Sequence, residues 1–276
     1  MRGEYRLFYE ELGRKYPEES IVYGSLRGTL RRRFVIEKLN AMKGFLLDAG
    51  CNVGTYCVEY HRGKVIGVDI AHSVLKKAKE RVPHGLFLVG DLENLNFIKD
   101  KRIDNILCTE VLEHLLSPES AVREFYRILA DTGRLLLTTP NYKRRPTKCV
   151  KLGLLKSYGI QGPGDEEYLH TAFKPSELVG MVKAAGFEVE EFGTLEKPVK
   201  YCAKFPLVVF LIVKLVNRLM IRSERLDLVN EKLFNRLSMV VYRTLAFLGL
   251  IRFLDRFVKE GVRSYVVARK VKSRPF

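Results

Sequence analysis

Three apolar runs in succession end in an aspartate, and no other feature of the chain restricts its fold as much. Residues 45–56 read FLLDAGCNVGTY, so the first run stops at Asp48 and is followed by Gly50, Asn52 and Gly54. VIGV at 65–68 runs into Asp69, and LFLV at 86–89 is followed by Gly90 and Asp91. Gly50, Asn52 and Gly54 are residue types that tolerate left-handed backbone and let a ligand approach closely. Taken alone, the first turn would also read as an ordinary passage from strand to loop. Repeated at three strand ends, the pattern points to the carboxyl edge of an open α/β sheet, where ligands bind. Asp69 lies 21 residues after Asp48, the spacing at which a nucleotide-binding sheet sets an acid against ribose hydroxyls. The dinucleotide fingerprint G-x-G-x-x-G is missing, because position 52 is Asn. A ribose acid without a pyrophosphate loop predicts a nucleoside cofactor that has no diphosphate.

Strand and helix patterns alternate along the middle of the chain. Short apolar runs at 45–47, 65–68, 86–89, 103–108 and 134–138 read as strands, with helical patterns at 73–81 and 118–130 between them. Pro118 opens the latter helix and Gly133 follows its expected end, which is sound punctuation. A helix over 175–185, a strand at 187–193 and a last strand at 264–271 complete an α/β fold with a mostly parallel sheet.

Four segments, LLDAGCNVGTY, GVDIAHSVLKKAKE, VGDLENL and TEVLEHL, occur in the order and spacing of a known family. The chain resembles the class I S-adenosylmethionine-dependent methyltransferases of the type 11 and type 23 groups over residues 44–193 and again over 264–271. The resemblance implies a Rossmann-like seven-stranded sheet with helices on both faces and S-adenosylmethionine as cofactor. It also implies that Asp48, Gly50, Cys51 and Gly54 wrap the methionine part of that cofactor. By the same likeness Asp69 binds ribose hydroxyls, Ile70 lies beside the adenine, and Asp91 with Leu92 meets the adenine amino group. Glu110 joins this cofactor-binding set. Asn52 departs from the family where a third glycine is common.

In TEVLEHL, residues Glu110, Glu113 and His114 stand at i, i+3 and i+4, and a helical turn would gather them on one face. Two carboxylates and an imidazole at a cleft could hold a divalent cation such as magnesium or manganese. His170, in YLHTAFKPSEL, would be the fourth ligand. The E-x-x-E-H arrangement is similar to that of quinone-biosynthesis O-methyltransferases and plant-type small-RNA 2′-O-methyltransferases, some of which hold a metal there. Many relatives carry the same motif without a metal, with His114 packed or capping at the cleft. Methyl transfer from a sulfonium is an in-line displacement, so alignment carries much of the rate. An oxygen acceptor must also lose a proton, for which His170 and His114, with Glu113 alongside, are the candidate catalytic groups. His61, His72 and His84 sit beside charges or turns and read as solvated. The Asn-Pro-Pro-Tyr type of signature of nucleic-acid amino methylation is absent.

The formal charge of +16 is unevenly spread. Residues 44–196 hold 20 Lys and Arg against 21 acids, whereas residues 197–260 hold 13 against 5. The division suggests an N-terminal helical cap at 1–43, a methyltransferase domain of 44–196 and 261–276, and a basic, apolar helical insertion at 197–260. Within the insertion, 207–222 and 239–251 are long apolar runs. Neither reaches the roughly 18–20 apolar residues that span a bilayer. Lys214, Arg218, Arg222 and Arg225 read as one cationic stripe, and Leu226, Val229, Leu233 and Leu237 as an apolar one. Three roles fit: a cap packed over the acceptor site, an element lying on an anionic membrane surface, or an RNA clamp aided by KRRPTKCVK at 143–151. The preferred acceptor is accordingly a small or lipid-like molecule methylated on oxygen or carbon, with RNA 2′-O-methylation as the alternative. A regulator that binds the cofactor without catalysis is a third class. Five cysteines with no C-x-x-C pair point to a reducing, cytoplasmic setting, with peripheral membrane association where the insertion meets lipid. The charged N-terminus is unlike a secretory signal.

Overall fold

Runs such as Leu46-Leu47, Ile106-Leu107 and Leu135-Leu136-Leu137 are buried at every position, which requires a sheet covered on both faces. The computed structural model provides that sheet. It describes residues 2–15, 24–141, 150–151, 167–168 and 172–271. His170, Cys149 and the start of the basic stretch at 143 lie outside the described residues.

The seven strands are β1 (Leu46–Ala49), β2 (Val65–Asp69), β3 (Leu86–Val89), β4 (Ile103–Thr109), β5 (Leu129–Pro140), β6 (Phe187–Leu195) and β7 (Arg263–Lys270). They are ordered β3-β2-β1-β4-β5-β7-β6. β1 pairs in parallel with β2 and β4, β2 with β3, and β4 with β5, while β7 runs antiparallel to β5. Strand order therefore reverses between β1 and β4, and that is where an open α/β sheet leaves its ligand crevice. The Rossmann-like expectation holds.

Some boundaries differ from the sequence reading. Asp48 belongs to β1 itself, and Phe45, expected to start the strand, precedes it and is exposed. The helix expected to run to residue 130 ends at Ile128. Leu129 pairs at once with Ile103, and the next pair is Asn105 with Arg134. Residues 130–133 are thus an irregularity absorbed inside the strand, and Gly133 marks it rather than a helix end.

The helices are α1 (Arg2–Lys15), α2 (Leu26–Leu39), α3 (Thr55–Glu59), α4 (His72–Arg81), α5 (Pro118–Ile128) and α6 (Pro175–Ala184), then α7 (Val199–Cys202), α8 (Lys204–Val216), α9 (Glu224–Phe247) and α10 (Ile251–Asp255). In α5, Pro118 takes the first turn, where its missing N–H costs nothing. Ala121, Val122, Phe125 and Ile128 form its buried face. Phe125 and Ile128 are fully buried in a core shared with Leu47, Ile106, Leu135, Leu178 and Val266. Lys270 of β7 donates to the carbonyls of Tyr126 at 2.7 Å and Leu129 at 2.8 Å, satisfying carbonyls at the end of α5.

The chain divides into two compact units. One comprises Met1–Glu19, Val35–Gly193 and Arg263–Phe276, and the other Ser20–Phe34 and Thr194–Val262. The N-terminal stretch expected as one cap is thereby split between them. In the second unit Leu26, Val199 and Cys202 form a small core with Met239, Val241, Tyr242 and Leu245. The expected single helix at 207–222 is interrupted, since α8 gives way to a π turn at Asn217–Ile221. The Arg222 amide donates to the Asn217 carbonyl at 2.6 Å, and Arg222 is left-handed. The straight cationic stripe therefore breaks at that point. In α9, Val229 and Leu233 are exposed, so they do not form the buried face of that helix.

Phe125→Ala should cost about 3–5 kcal/mol, as for other fully buried aromatics. The check is the shift in denaturant midpoint of unfolding.

Candidate active site

The loop after β1 is fixed by its backbone. Gly50, Asn52 and Gly54 have φ of 80°, 46° and 73°, the left-handed conformations that their residue types favour. The Gly50 and Cys51 amides donate to the Val68 carbonyl at 2.8 and 3.1 Å, and the Gly54 amide to the Cys51 carbonyl at 2.8 Å. The Asn52 side chain accepts from the Val53 amide at 2.8 Å, and Arg81 of α4 donates to the Val53 carbonyl at 3.1 Å. A Cβ at Gly50 would stand 2.2 Å from a methyl of Val111. The loop after β1 and the segment after β4 thus touch where the strand order reverses.

Asp69, at the end of β2, accepts from the Asn52 amide at 2.9 Å and the Ala71 amide at 3.0 Å. Burial raises its pKa above the ordinary carboxylate value, against the pull of those amides. Asp48 is buried and accepts from the Cys57 thiol at 3.3 Å. Burial, with Cys57 adding to it, pushes the Cys51 thiol well above its usual range, so Cys51 stays neutral. Asp91 accepts from the Glu93 amide at 2.9 Å, in a turn that buries Leu92. That turn is tied to α5: Glu93 accepts from the Ser117 amide at 2.8 Å, and Glu124 from the Leu95 amide at 2.8 Å. Ile70 is half-buried between Asp69 and Ala71. The loop residues with Asp69, Ile70, Asp91 and Leu92 therefore follow the ends of three adjacent parallel strands. These donors and acceptors, without a phosphate-binding turn, suit a nucleoside with an amino-acid tail.

The segment after β4 is not the helical face that the spacing suggests. Glu110 has φ of 56° and precedes a single 3-10 turn at Leu112–His114. Its amide donates to the Thr138 carbonyl at 2.9 Å, its carboxylate accepts from the Thr138 hydroxyl at 3.0 Å, and it forms an ion pair with Arg263 of β7. Glu113 is buried, with Oε1 3.9 Å from His114 Nε2. Glu110 is turned to β5 and β7, away from a shared ligand set. Among the described residues no three His, Cys, Asp or Glu gather as metal ligands. The described members of the expected cation set thus do not fit a metal together, and His170 lies outside them.

Three residues that the sequence reading passed over belong here. The Tyr9 ring of α1 lies 6.0 Å from the His114 ring, tilted by 59°. Glu10 accepts from the Ser73 amide at 3.0 Å in the first turn of α4, where a carboxylate favours the helix dipole. Burial raises the Glu10 pKa, but hydrogen bonds from Ser73 and His72 together outweigh it and leave it lowered. Arg263, the partner of Glu110, was likewise unforeseen.

The comparisons with known proteins agree with the fold. Residues 47–137 match the family described as a methyltransferase domain. A ubiquinone biosynthesis O-methyltransferase of Xanthomonas euvesicatoria pv. vesicatoria is 26% identical over 176 residues, covering 61% of this chain and 73% of that protein. A solved S-adenosylmethionine-dependent methyltransferase from Mesorhizobium loti superposes with a TM-score of 0.52 at 15% identity, covering 85% of this chain and 96% of that one. The [4+2]-cyclase SpnF superposes with a TM-score of 0.53 at 17% identity, covering 89% and 82%. A sheet like this one therefore hosts more than one chemistry, and fold alone does not fix the reaction. With the matched domain and its methyltransferase relatives beside the fold, the chain is a class I S-adenosylmethionine-dependent methyltransferase.

Proposed function

We propose that the protein methylates a hydroxyl oxygen on a small or lipid-like acceptor. The observation that carries this reading is the His114 imidazole in the turn beyond β4, with the Tyr9 ring of α1 6.0 Å away and buried Glu113 3.9 Å from its Nε2. The ubiquinone biosynthesis O-methyltransferases among the relatives, named for oxygen methylation, support it.

Bound S-adenosylmethionine supplies an electrophilic methyl on a sulfonium. In this reading the Asp69 carboxylate accepts from the ribose hydroxyls, and the same oxygens keep the Asn52 and Ala71 amides in place. Asp91 and Leu92 meet the adenine, with Ile70 against its face, while Gly50, Cys51 and Gly54 leave room for the methionine portion. Asp48 remains inside, held to Cys57. His114 takes the acceptor proton, and buried Glu113 favours the imidazolium that results. Tyr9 limits the swing of the imidazole ring. Glu110, held by Arg263 and Thr138, sets the direction of the chain into the His114 turn and takes no part as a cation ligand.

Incubation with labelled cofactor and fractionated cell extract should put alkali-stable label into organic-extractable small molecules. Label in RNA instead would overturn the acceptor class. His114→Ala should lower kcat by about a hundredfold or more, the typical contribution of a positioned base, with cofactor affinity unchanged in calorimetry. EDTA should leave turnover as it is, and recovery of a lost rate with magnesium or manganese would restore the cation reading with His170.

Asp69→Ala should weaken cofactor binding by at least about a hundredfold, because two charge-assisted hydrogen bonds are lost. The raised pKa of Asp69 sets the pH dependence. The ionised carboxylate is the acceptor, so affinity is full above that pKa and falls as pH drops through it, sooner than for an ordinary aspartate. Calorimetry across mildly acidic pH reads this, and Asp69→Asn should flatten the profile.

A further inference from the structure

Helix α8 and the π turn after it are built inside out for water. Val208, Leu211, Ile212, Leu215 and Leu219 recur at helical spacing and share one face. Leu211, Leu215 and Leu219 are 54%, 58% and 68% exposed, and Met220 beside them is 80% exposed. The opposite face is closed by polar pins. Asn217 is buried and donates to the Ser223 carbonyl and to Asp227, both at 2.8 Å, while accepting from the Ser223 amide at 2.9 Å. Asn230 of α9 is buried and donates to the Phe210 carbonyl of α8 at 2.9 Å. Amides lie within the hairpin and leucines outside, the reverse of what burial in water favours. The pins also hold the hairpin in one shape, so the apolar face is preorganised.

Charge identifies what covers that face. Lys204, Lys214, Arg218, Arg222 and Arg225 are all exposed along the same segment, and residues 197–260 carry 13 Lys and Arg against 5 acids. A second copy docking through this face would bring two strongly basic surfaces together. RNA would meet the cations at its phosphates and leave the leucines wet. An anionic bilayer surface satisfies both, with the apolar face at the acyl boundary and the cations at headgroup phosphates. Thirteen residues make a helix about 20 Å long, short of the roughly 30 Å hydrocarbon core. Among the described residues no helix is long and apolar enough to cross a membrane. The helix would lie in the interface plane.

We propose that α8 and the π turn are a docking surface for anionic lipid bilayers. The inference is independent of the acceptor, because vesicle binding needs no turnover. The test is flotation of the full chain with vesicles of phosphatidylcholine alone and of phosphatidylcholine mixed with phosphatidylglycerol. The wild type should float with the mixed vesicles and progressively less as salt rises. Lys214→Glu, Arg218→Glu and Arg222→Glu together should weaken binding by about fivefold or more per residue. Leu211→Ser, Leu215→Ser and Leu219→Ser together should abolish flotation at every salt concentration. Unchanged affinity for S-adenosylmethionine shows that both variants remain folded. The proposal fails if the wild type does not float at low salt, or if the leucine variant floats as well as the wild type. It fails equally if a concentration-dependent dimer, lost in the leucine variant, forms in place of vesicle binding. A salt-dependent shift with RNA and none with vesicles also overturns it.

Discussion

The hydrogen bond from the Asn52 amide to Asp69 couples the two features on which the site depends. One is a loop that can form only in left-handed backbone, and the other is a carboxylate at the end of the next strand. A left-handed residue other than glycine carries a conformational cost, and here the structure around it offsets that cost. The Asn52 side chain accepts from the Val53 amide, and its own amide finds a charged acceptor. Because β1 and β2 pair in parallel register, with Asp48 opposite Gly67 and Ala49 opposite Val68, the Val68 carbonyl is in reach of the Gly50 and Cys51 amides. Moving the register would break the staple and the loop together. Asp69 and the loop after β1 are therefore one unit of structure.

A second polar frame sits across the reversal point. Glu110 and Arg263 are nearly buried, at 10% and 14% side-chain exposure, so each depends on the other to offset lost hydration. Thr138 adds its hydroxyl and carbonyl from β5. This arrangement holds Glu110 at positive φ, and the chain bends there into the His114 turn. Such backbone persists only where its surroundings over-determine it, and it clusters at functional sites. A carboxylate that the sequence offers as a ligand is used instead to steer the chain.

What could be read from the sequence follows from how local its cause is. Strand ends marked by Asp48, Asp69 and Asp91, and a loop marked by Gly50, Asn52 and Gly54, declare themselves because residue type and backbone conformation are directly linked. The proximity of Tyr9 to His114, the Glu10 contact with Ser73 and the Arg263 pairing are tertiary, and no pattern near those residues announces them. The spacing of Glu110, Glu113 and His114 misled for a related reason. It fits a helix, but a pairing with Thr138 and Arg263, far along the chain, turns Glu110 out of it. The π turn at Asn217 was also hidden, because an apolar stretch reads as helix whether or not one residue in it is bonded at i+5.

Electrostatics separates the two compact units more sharply than composition suggests. The unit with the cofactor loop draws on a nearly neutral stretch, yet Asp48, Asp69 and Asp91 all lie at the carboxyl ends of its strands, which suits a cofactor carrying a sulfonium cation. The helical unit presents exposed cations around an apolar face, which suits anionic headgroups. The strand-end carboxylates and the helical cations would offset one another if their fields were long-ranged. At physiological ionic strength screening limits exposed charges to about 8 Å, so each surface is felt by what touches it. The charges local to each surface thus decide what that surface suits, and the +16 of the whole chain describes neither.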